Sequence, residues 1–140
     1  AIGHGWTYSA HPICTAAGIA NLELIDKLDL VSNAGETGAY FRKQLTEALA
    51  ENAIVGEVRG DGMLAAVEFV ADKDDRKFFD PALKVGPRIA AALAELGVLG
   101  RATPQGDILG FAPPLCLTRD EADTVVNAAA KAVESIAKTL

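Results

Sequence analysis

Two β-rich runs separated by a glycine turn constrain the fold of this chain most strongly. They lie within residues 55–70, on either side of Gly60-Asp61-Gly62. Glycines flanking an aspartate are a strong turn signal, so the segment predicts an antiparallel hairpin. Ala65, Val67 and Phe69 would share one face of the second strand.

Segments with helical periodicity precede and follow this hairpin. Apolar residues recur at helical spacing from Pro12 to about Asp29, and a second helix is expected from Asn33 to Asn52. A third helix should begin at Asp80-Pro81 and end at Gly97, and a fourth should begin near Thr118. The expected inner faces of the second and third helices carry Phe41, Leu45 and Leu49, and Val85, Ile89, Leu93 and Leu96.

Helix boundaries are indicated by two capping-box patterns. Asn33 with Glu36, and Thr118 with Glu121, place an acid three residues after a capping side chain. Two short strands, Val98-Leu99 and Ile108–Phe111, should flank a turn at residues 103–106. The predicted class is α+β, with a small, mostly antiparallel sheet covered by helices and preceded by a long helix.

Composition favours one globular domain. The 140 residues are 50% hydrophobic with a formal net charge of −6, which argues against nucleic acid or an anionic membrane as the main partner. No apolar run is long enough for a membrane span and no signal peptide is evident, so a cytoplasmic location is expected. The chain begins at Ala1 rather than methionine, which suggests a fragment.

Metal chemistry and disulfides are not expected. Cys14 and Cys116 show no zinc-site spacing with His4 or His11, and both thiols are predicted to be free and buried.

The segment from Ile2 to Pro12 is the first candidate site. It combines two imidazoles, an indole, a phenol and hydroxyls with glycines, and Pro12 suits the first turn of a helix. Hydroxyls and free amide N–H groups at a helix start favour an anionic ligand. The alternative from composition alone is a surface loop that caps the helix, with His11 at the cap position.

Arg101 is the second candidate. It lies in a loop that contains glycine and proline, between two short predicted strands. A guanidinium there could bind a carboxylate through two parallel hydrogen bonds. An exposed arginine without a ligand is the alternative.

Three ordered motifs give the chain a family resemblance. Residues 3–12 are similar to G-H-G-[FYW]-T-Y-S-G-H-P, and residues 55–64 to V-G-[ED]-V-R-G-x-G-[LM]-[LMI]. Residues 101–118 are similar to R-x-x-x-x-G-D-x-[IL]-x-[FL]-x-P-P-L-x-[IL]-T. Together they resemble class III, omega-type aminotransferases, which use pyridoxal 5'-phosphate.

The resemblance implies a domain assignment and site roles. Residues 1–140 would form the C-terminal small domain of a fold-type I subunit, with residues 1–12 an active-site loop on the large-domain side and the first helix linking the two. Thr7 would bind the phosphate of a cofactor held mainly by the neighbouring subunit, and Trp6 would wall the site. Arg101 would bind the substrate carboxylate and swing out for apolar amines. Arg59 would be structural, and Ala10, in place of glycine, would tighten the loop slightly.

The implied reaction is transfer of an amino group from an amine or omega-amino acid to pyruvate by a homodimer or tetramer. Its partners would be the small-molecule substrates and the rest of its own subunit. None of the seven lysines falls in a family motif, so we expect no catalytic residue in this chain. Alone it would be inactive, because it would lack the lysine that forms a Schiff base with the cofactor.

Two other interpretations stay open. The chain could be a non-catalytic module that binds an anion or assembles with a partner. It could also belong to another class III enzyme with the same cofactor, such as an ornithine-type aminotransferase, an aminomutase or a decarboxylase.

Overall fold

The computed structural model describes residues 3, 5–75, 77–103 and 107–140. In these ranges the chain forms helices α1 to α4, strands β1 to β4 and one short 3-10 helix, Pro81–Leu83. The helices are Pro12–Lys27 (α1), Leu30–Leu49 (α2), Val85–Glu95 (α3) and Arg119–Ala137 (α4). The strands are Val55–Asp61 (β1), Leu64–Phe69 (β2), Arg101–Ala102 (β3) and Ile108–Phe111 (β4).

The strands form one antiparallel sheet in the order β1-β2-β4-β3. β1 and β2 pair around the glycine turn, with Asp61 opposite Leu64, so the predicted hairpin is confirmed. Ala65, Val67 and Phe69 share one face of β2, as expected, and this face is buried. The α+β class and the small antiparallel sheet are likewise confirmed.

The hydrophobic core lies between one face of this sheet and helices α2, α3 and α4. Phe41 of α2 meets Phe111 of β4 edge to face, with ring centroids 5.9 Å apart. Fully buried apolar side chains from the three helices and the inner sheet face surround this pair: Leu45, Leu49, Val67, Phe69, Ile89, Leu93, Leu109 and Val133. The opposite face of the sheet has no helix over it in the described residues, and its Leu64 is exposed.

The predicted start of α2 was wrong. Asn33 lies inside the helix, whose N-cap is Asp29 in the left-handed conformation (φ 47°). The Asn33 amide instead donates to the carbonyls of Leu115 and Leu117 at 2.6 and 3.1 Å, and its oxygen accepts from the Thr37 hydroxyl. A contact more than 80 residues away therefore uses the side chain that the local pattern assigned to a cap.

Three further details differ from the prediction. Asp80 caps only the 3-10 turn by accepting from the Ala82 N–H, and Lys84 (φ 49°) separates that turn from α3. Leu96 is exposed, because α3 has already ended at Glu95. The predicted strand at residues 98–99 is shifted to β3, since the Val98 N–H still bonds back to Leu93.

The two cysteines are free but exposed, which corrects their predicted burial. Cys14 is exposed because α1 buries no residue within the described chain, and Cys116 lies in the exposed segment before α4. Among the helices of the described ranges, none has the length and apolar character needed to cross a membrane.

Candidate functional site

The uncovered face of the sheet carries a row of four residues, one from each strand. Strand register places Arg59 opposite Ala66, Ala66 opposite Gly110, and Gly110 opposite Arg101. Three strand spacings separate the Cα atoms of the two arginines by roughly 14 Å. The small residues between them leave a floor without bulky side chains, so an arginine stands at each end of a shallow depression.

This depression, which we call the sheet groove, has a volume of about 650 Å³ and is open to solvent. Arg59, Ala66, Gly110 and Arg101 line it. Two apolar residues, Leu64 and Leu99, add to its wall. A volume of this size suits a small organic molecule.

The two arginines of the sheet groove differ in their partners. Arg59 bonds to Glu57 at 2.7 Å and to Glu68 at 2.8 Å, and the bond to Glu68 is the main cause of the raised pKa of Arg59. It thus ties β1 to β2, in line with the structural role expected of it. Arg101 is exposed and makes no ion pair with any described residue. Its guanidinium is therefore available to an external anion.

The position of Arg101 is set by the packing of β3 between α3 and β4. A Cβ added at Gly100 would lie 2.9 Å from side-chain atoms of both Leu93 and Leu109, so a larger residue where the chain enters β3 would displace these two leucines. β3 then pairs with β4 through Arg101 and Ala102. Residues 104–106, which include most of the predicted turn and the motif glycine, lie outside the described residues.

Asp107 is a site-associated residue that sequence reasoning missed. Its carboxylate accepts a hydrogen bond from the Gly86 N–H at 2.8 Å, across 21 positions in the chain. The motif contained this aspartate, directly before a predicted strand and next to a glycine. That signal marked a turn, but no local pattern connected it to the first turn of α3.

The N-terminal candidate forms a turn ahead of α1. The Ser9 N–H donates to the Trp6 carbonyl at 3.0 Å, and the Trp6 N–H donates to the Ser9 hydroxyl at 3.2 Å. Trp6 and Thr7 are exposed. His11 occupies the N-cap position of α1, but its side chain makes no capping bond. Ile2 and His4 of this candidate segment lie outside the described residues.

Thr7 fits a phosphate contact in its chemistry. Its hydroxyl has no hydrogen-bond partner among the described residues, and it lies five positions before the start of α1. A hydroxyl donor near a helix N-terminus suits an anionic oxygen. Thr7 does not line the sheet groove, so within this chain the structure does not bring it together with Arg101.

Metal-ligating side chains and lysines also bear on the chemistry that the described part of the chain could support. No group of three histidine, cysteine or acidic side chains there could hold a metal ion. The seven lysines are all exposed.

Comparison with known proteins places these features in a family. The model of class III aminotransferases matches residues 1–133. The chain is 52% identical over 139 residues to the diaminobutyrate–2-oxoglutarate transaminase of Halomonas elongata, covering 99% of this chain and 30% of that protein. It therefore spans less than a third of the length of this relative.

Solved transaminase structures share the fold. A transaminase from directed evolution by ancestral reconstruction superposes with a TM-score of 0.95 at 57% identity, covering all of this chain and 31% of the other. A PLP-bound amine transaminase from an uncultivated Pseudomonas species gives a TM-score of 0.87 at 42% identity, over 96% of this chain and 30% of the other.

The chain belongs to the class III aminotransferase family. Its fold matches part of a fold-type I transaminase, in which the small antiparallel sheet and its helices recur. Members of this family and its structural neighbours depend on pyridoxal 5'-phosphate.

Proposed function

We propose that the full-length protein transfers an amino group from an amine or omega-amino acid to pyruvate, and that residues 1–140 form the C-terminal small domain of its subunit. The guanidinium of Arg101, exposed at the edge of the sheet groove and unpaired among the described residues, carries the proposal. It stands at the first position of the third family motif, where the family resemblance implies a contact with the substrate carboxylate.

Arg101 would supply the carboxylate contact of the substrate. A guanidinium can donate two parallel hydrogen bonds to a carboxylate, and both are strengthened by charge. Arg59 cannot take this role as readily, because its donors already bond to Glu57 and Glu68. A substrate without a carboxylate would leave Arg101 in solvent, so the residue would discriminate between donor classes.

Thr7 and Trp6 would contact the cofactor in the site of a neighbouring subunit. The exposed Thr7 hydroxyl, which bonds to no described residue, can donate to a phosphate oxygen, and the exposed indole of Trp6 could form a wall of the site. This assignment places residues 1–12 on the large-domain side and requires a homodimer or tetramer. When bound, pyridoxal phosphate acts as the electron sink for the bond cleavages of the reaction.

The remainder of the subunit would cover α1 and supply the Schiff-base lysine. α1 exposes large apolar side chains along its length, including Ile13 at 75% and Leu22 at 63% exposure. Extended apolar surface of this kind marks an interaction site. The match to about 30% of a relative's length is consistent with a larger subunit. We place this subunit in the cytoplasm.

The amino acceptor has a second candidate. The Halomonas elongata relative is named for 2-oxoglutarate, a dicarboxylate, rather than for pyruvate. Parallel assays of the full-length protein with each keto acid decide between them. A higher kcat/KM with pyruvate supports the first assignment, and a higher value with 2-oxoglutarate replaces it.

The test of the function is the donor selectivity of Arg101 variants in the full-length protein. We expect Arg101→Ala to lower kcat/KM for an omega-amino acid by about 100-fold, because two charge-assisted hydrogen bonds are lost. The value for an amine without a carboxylate should stay within about twofold. The kcat/KM of Arg101→Lys for the omega-amino acid should lie between those of the parent and Arg101→Ala, because a point charge replaces the planar guanidinium.

Arg88→Ala is the matched control. Arg88 bonds to the Thr139 hydroxyl at 2.5 Å and does not line the sheet groove, so its loss should leave the selectivity unchanged. Equal losses for both donors in Arg101→Ala would contradict the carboxylate role. Absence of any turnover in the unmodified full-length protein would instead favour a non-catalytic anion-binding module.

A further inference from the structure

Asp107 is fixed at two points where the chain returns to the sheet. Its carboxylate accepts from the Gly86 N–H at 2.8 Å, and its backbone carbonyl accepts from the Phe69 N–H at 2.8 Å. The first bond joins it to the first turn of α3 and the second to the end of β2. Asp107 therefore fixes the start of β4 relative to α3 and β2.

The first turn of α3 is built to receive this carboxylate. Lys84, its N-cap residue, has a left-handed backbone and makes no side-chain capping bond, so the cap comes from Asp107 instead. A Cβ added at Gly86 would lie 3.3 Å from the Asp107 carboxylate oxygen. An alanine at this position would therefore press on the carboxylate, which would have to move by a few tenths of an ångström.

Backbone pairing between β4 and β3 links the position of Asp107 to that of Arg101. β3 is a two-residue edge strand that, within the described sheet, pairs only with β4, through Arg101 opposite Gly110 and Ala102 opposite Leu109. A further bond of 3.0 Å runs from the Thr103 N–H to the Ile108 carbonyl, directly beside Asp107. β3 has no other strand neighbour there, so its position follows that of β4 and of α3, the two elements that the Asp107 carboxylate joins.

We infer that Asp107 is a positioning residue for carboxylate recognition, acting through β4 to hold Arg101 at the edge of the sheet groove. The inference rests on the proposed function of Arg101. Asp107 makes no ion pair with Arg101, and neither residue pairs with another charge in the described chain, so the effect of Asp107 is on the placement of the guanidinium rather than on its charge. Misplacement of a binding group by about 1 Å can cost as much as 100-fold in rate.

The experiment compares Asp107→Ala and Asp107→Asn in the full-length protein loaded with pyridoxal phosphate. We expect Asp107→Ala to raise KM for an omega-amino acid about tenfold with kcat nearly unchanged. Its KM for an amine without a carboxylate should stay within about twofold of the parent value. Asp107→Asn should restore KM to within about threefold, because the amide oxygen still accepts from the Gly86 N–H. Hydrogen exchange of residues 99–103 should be faster in Asp107→Ala than in the unmodified protein.

Asp80→Ala is the control, since Asp80 caps the neighbouring 3-10 turn at 2.9 Å and bonds to no described residue of β4. It should leave both KM values unchanged. Gly86→Ala tests the same contact from the other side and should raise KM for the omega-amino acid alone. It also serves as the deciding variant if Asp107→Ala does not fold.

Equal changes for both donors, or failure of asparagine to restore KM, would overturn the positioning role. The Arg101→Ala variant separates this outcome from failure of the proposed function. If Arg101→Ala is selective and the Asp107 and Gly86 variants are not, only the role of Asp107 is lost. If Arg101→Ala is itself unselective, the carboxylate assignment fails first.

Discussion

At the residue scale, Gly38 shows how closely α2 approaches the hairpin. A Cβ added there would lie 1.9 Å from the backbone carbonyl oxygen of Gly62. The Arg42 guanidinium donates to that same carbonyl. Around Gly35, in the same helix, no described atom outside its own helical turn would come within 4 Å of an added Cβ, so an alanine there meets open space.

These two glycines give a matched pair of substitutions. Gly38→Ala should lower the free energy of unfolding by about 2 kcal/mol, because helix and turn must separate to admit the methyl group. Gly35→Ala should raise it by about 0.5–1 kcal/mol through helix propensity. Urea unfolding of the full-length subunit measures both. A Gly38→Ala variant as stable as the parent would show that the contact is not tight.

The left-handed residues lay beyond prediction from sequence. Ala10, Asp29 and Lys84 have φ values of 58°, 47° and 49°. Such positions usually take glycine or asparagine, so an alanine or lysine there carries no sequence signal. Ala10 stands where the family motif has glycine, and its left-handed backbone explains that glycine. Alanine at position 10 is therefore strained by its left-handed backbone. The expectation that it would only tighten the loop slightly did not include this strain.

At the element scale, the two capping-box patterns had opposite outcomes. The Thr118–Glu121 box forms in full: the Glu121 N–H donates to the Thr118 hydroxyl oxygen, and the Glu121 carboxylate accepts from the Thr118 N–H at 2.8 Å. The Asn33–Glu36 pattern forms no cap, because α2 already begins at Leu30. The first is followed by a clear change from loop to helix, whereas no proline or glycine marks the short break between α1 and α2.

The Thr118–Glu121 capping box predicts that the stability of the protein depends on pH. Hydrogen bonds from Thr118, first from its backbone N–H and then from its hydroxyl, lower the pKa of Glu121 below its ordinary value of 4.5. A carboxyl group whose pKa is lower in the folded state than in the unfolded state stabilises the fold at pH values above its unfolded-state pKa. This stabilisation is lost as the pH falls through the folded-state pKa. Glu121→Gln should therefore be less stable than the parent at pH 7, and the difference should shrink in acid, once the pH falls below the ordinary glutamate pKa of 4.5.

The urea midpoints of Glu121→Gln and the parent, compared at pH 7 and in acid, measure this effect. Glu36→Gln is the control, because Glu36 is exposed and makes no hydrogen bond within the described residues. Its substitution should leave the pH dependence unchanged. A Glu121→Gln deficit that persists unchanged in acid would show that the charge of Glu121 contributes nothing to the cap.

Elements with strong local signals were predicted well, and those set by distant contacts were not. The hairpin follows from its glycine turn, and the buried stripe Val85, Ile89 and Leu93 follows from helical spacing. The two-residue strand β3 has no pattern of its own, because pairing with β4 alone defines it. Arg101 was found through its motif, whereas Asp107 acts through a contact 21 positions away.

At the scale of the whole molecule, the domain has a packed sheet face and surfaces that are left open. Helices α2 to α4 cover the inner face of the sheet, while α1 and the sheet groove are uncovered in the described chain. The apolar residues in and just after α1, including Leu24 and Leu28, are exposed in this chain. Since the chain matches about 30% of a relative's length, we propose that the rest of the subunit and its partner complete these surfaces.

The central claim is that Arg101 and Thr7 hold opposite ends of the bound substrate and cofactor. A crystal structure of the full-length oligomer with pyridoxal phosphate and a carboxylate substrate analogue measures this directly. We expect the Arg101 guanidinium within about 3 Å of the carboxylate oxygens, and the hydroxyl of Thr7 from a neighbouring subunit within about 3 Å of a phosphate oxygen. An occupied site in which both residues lie far from the ligands would contradict the account.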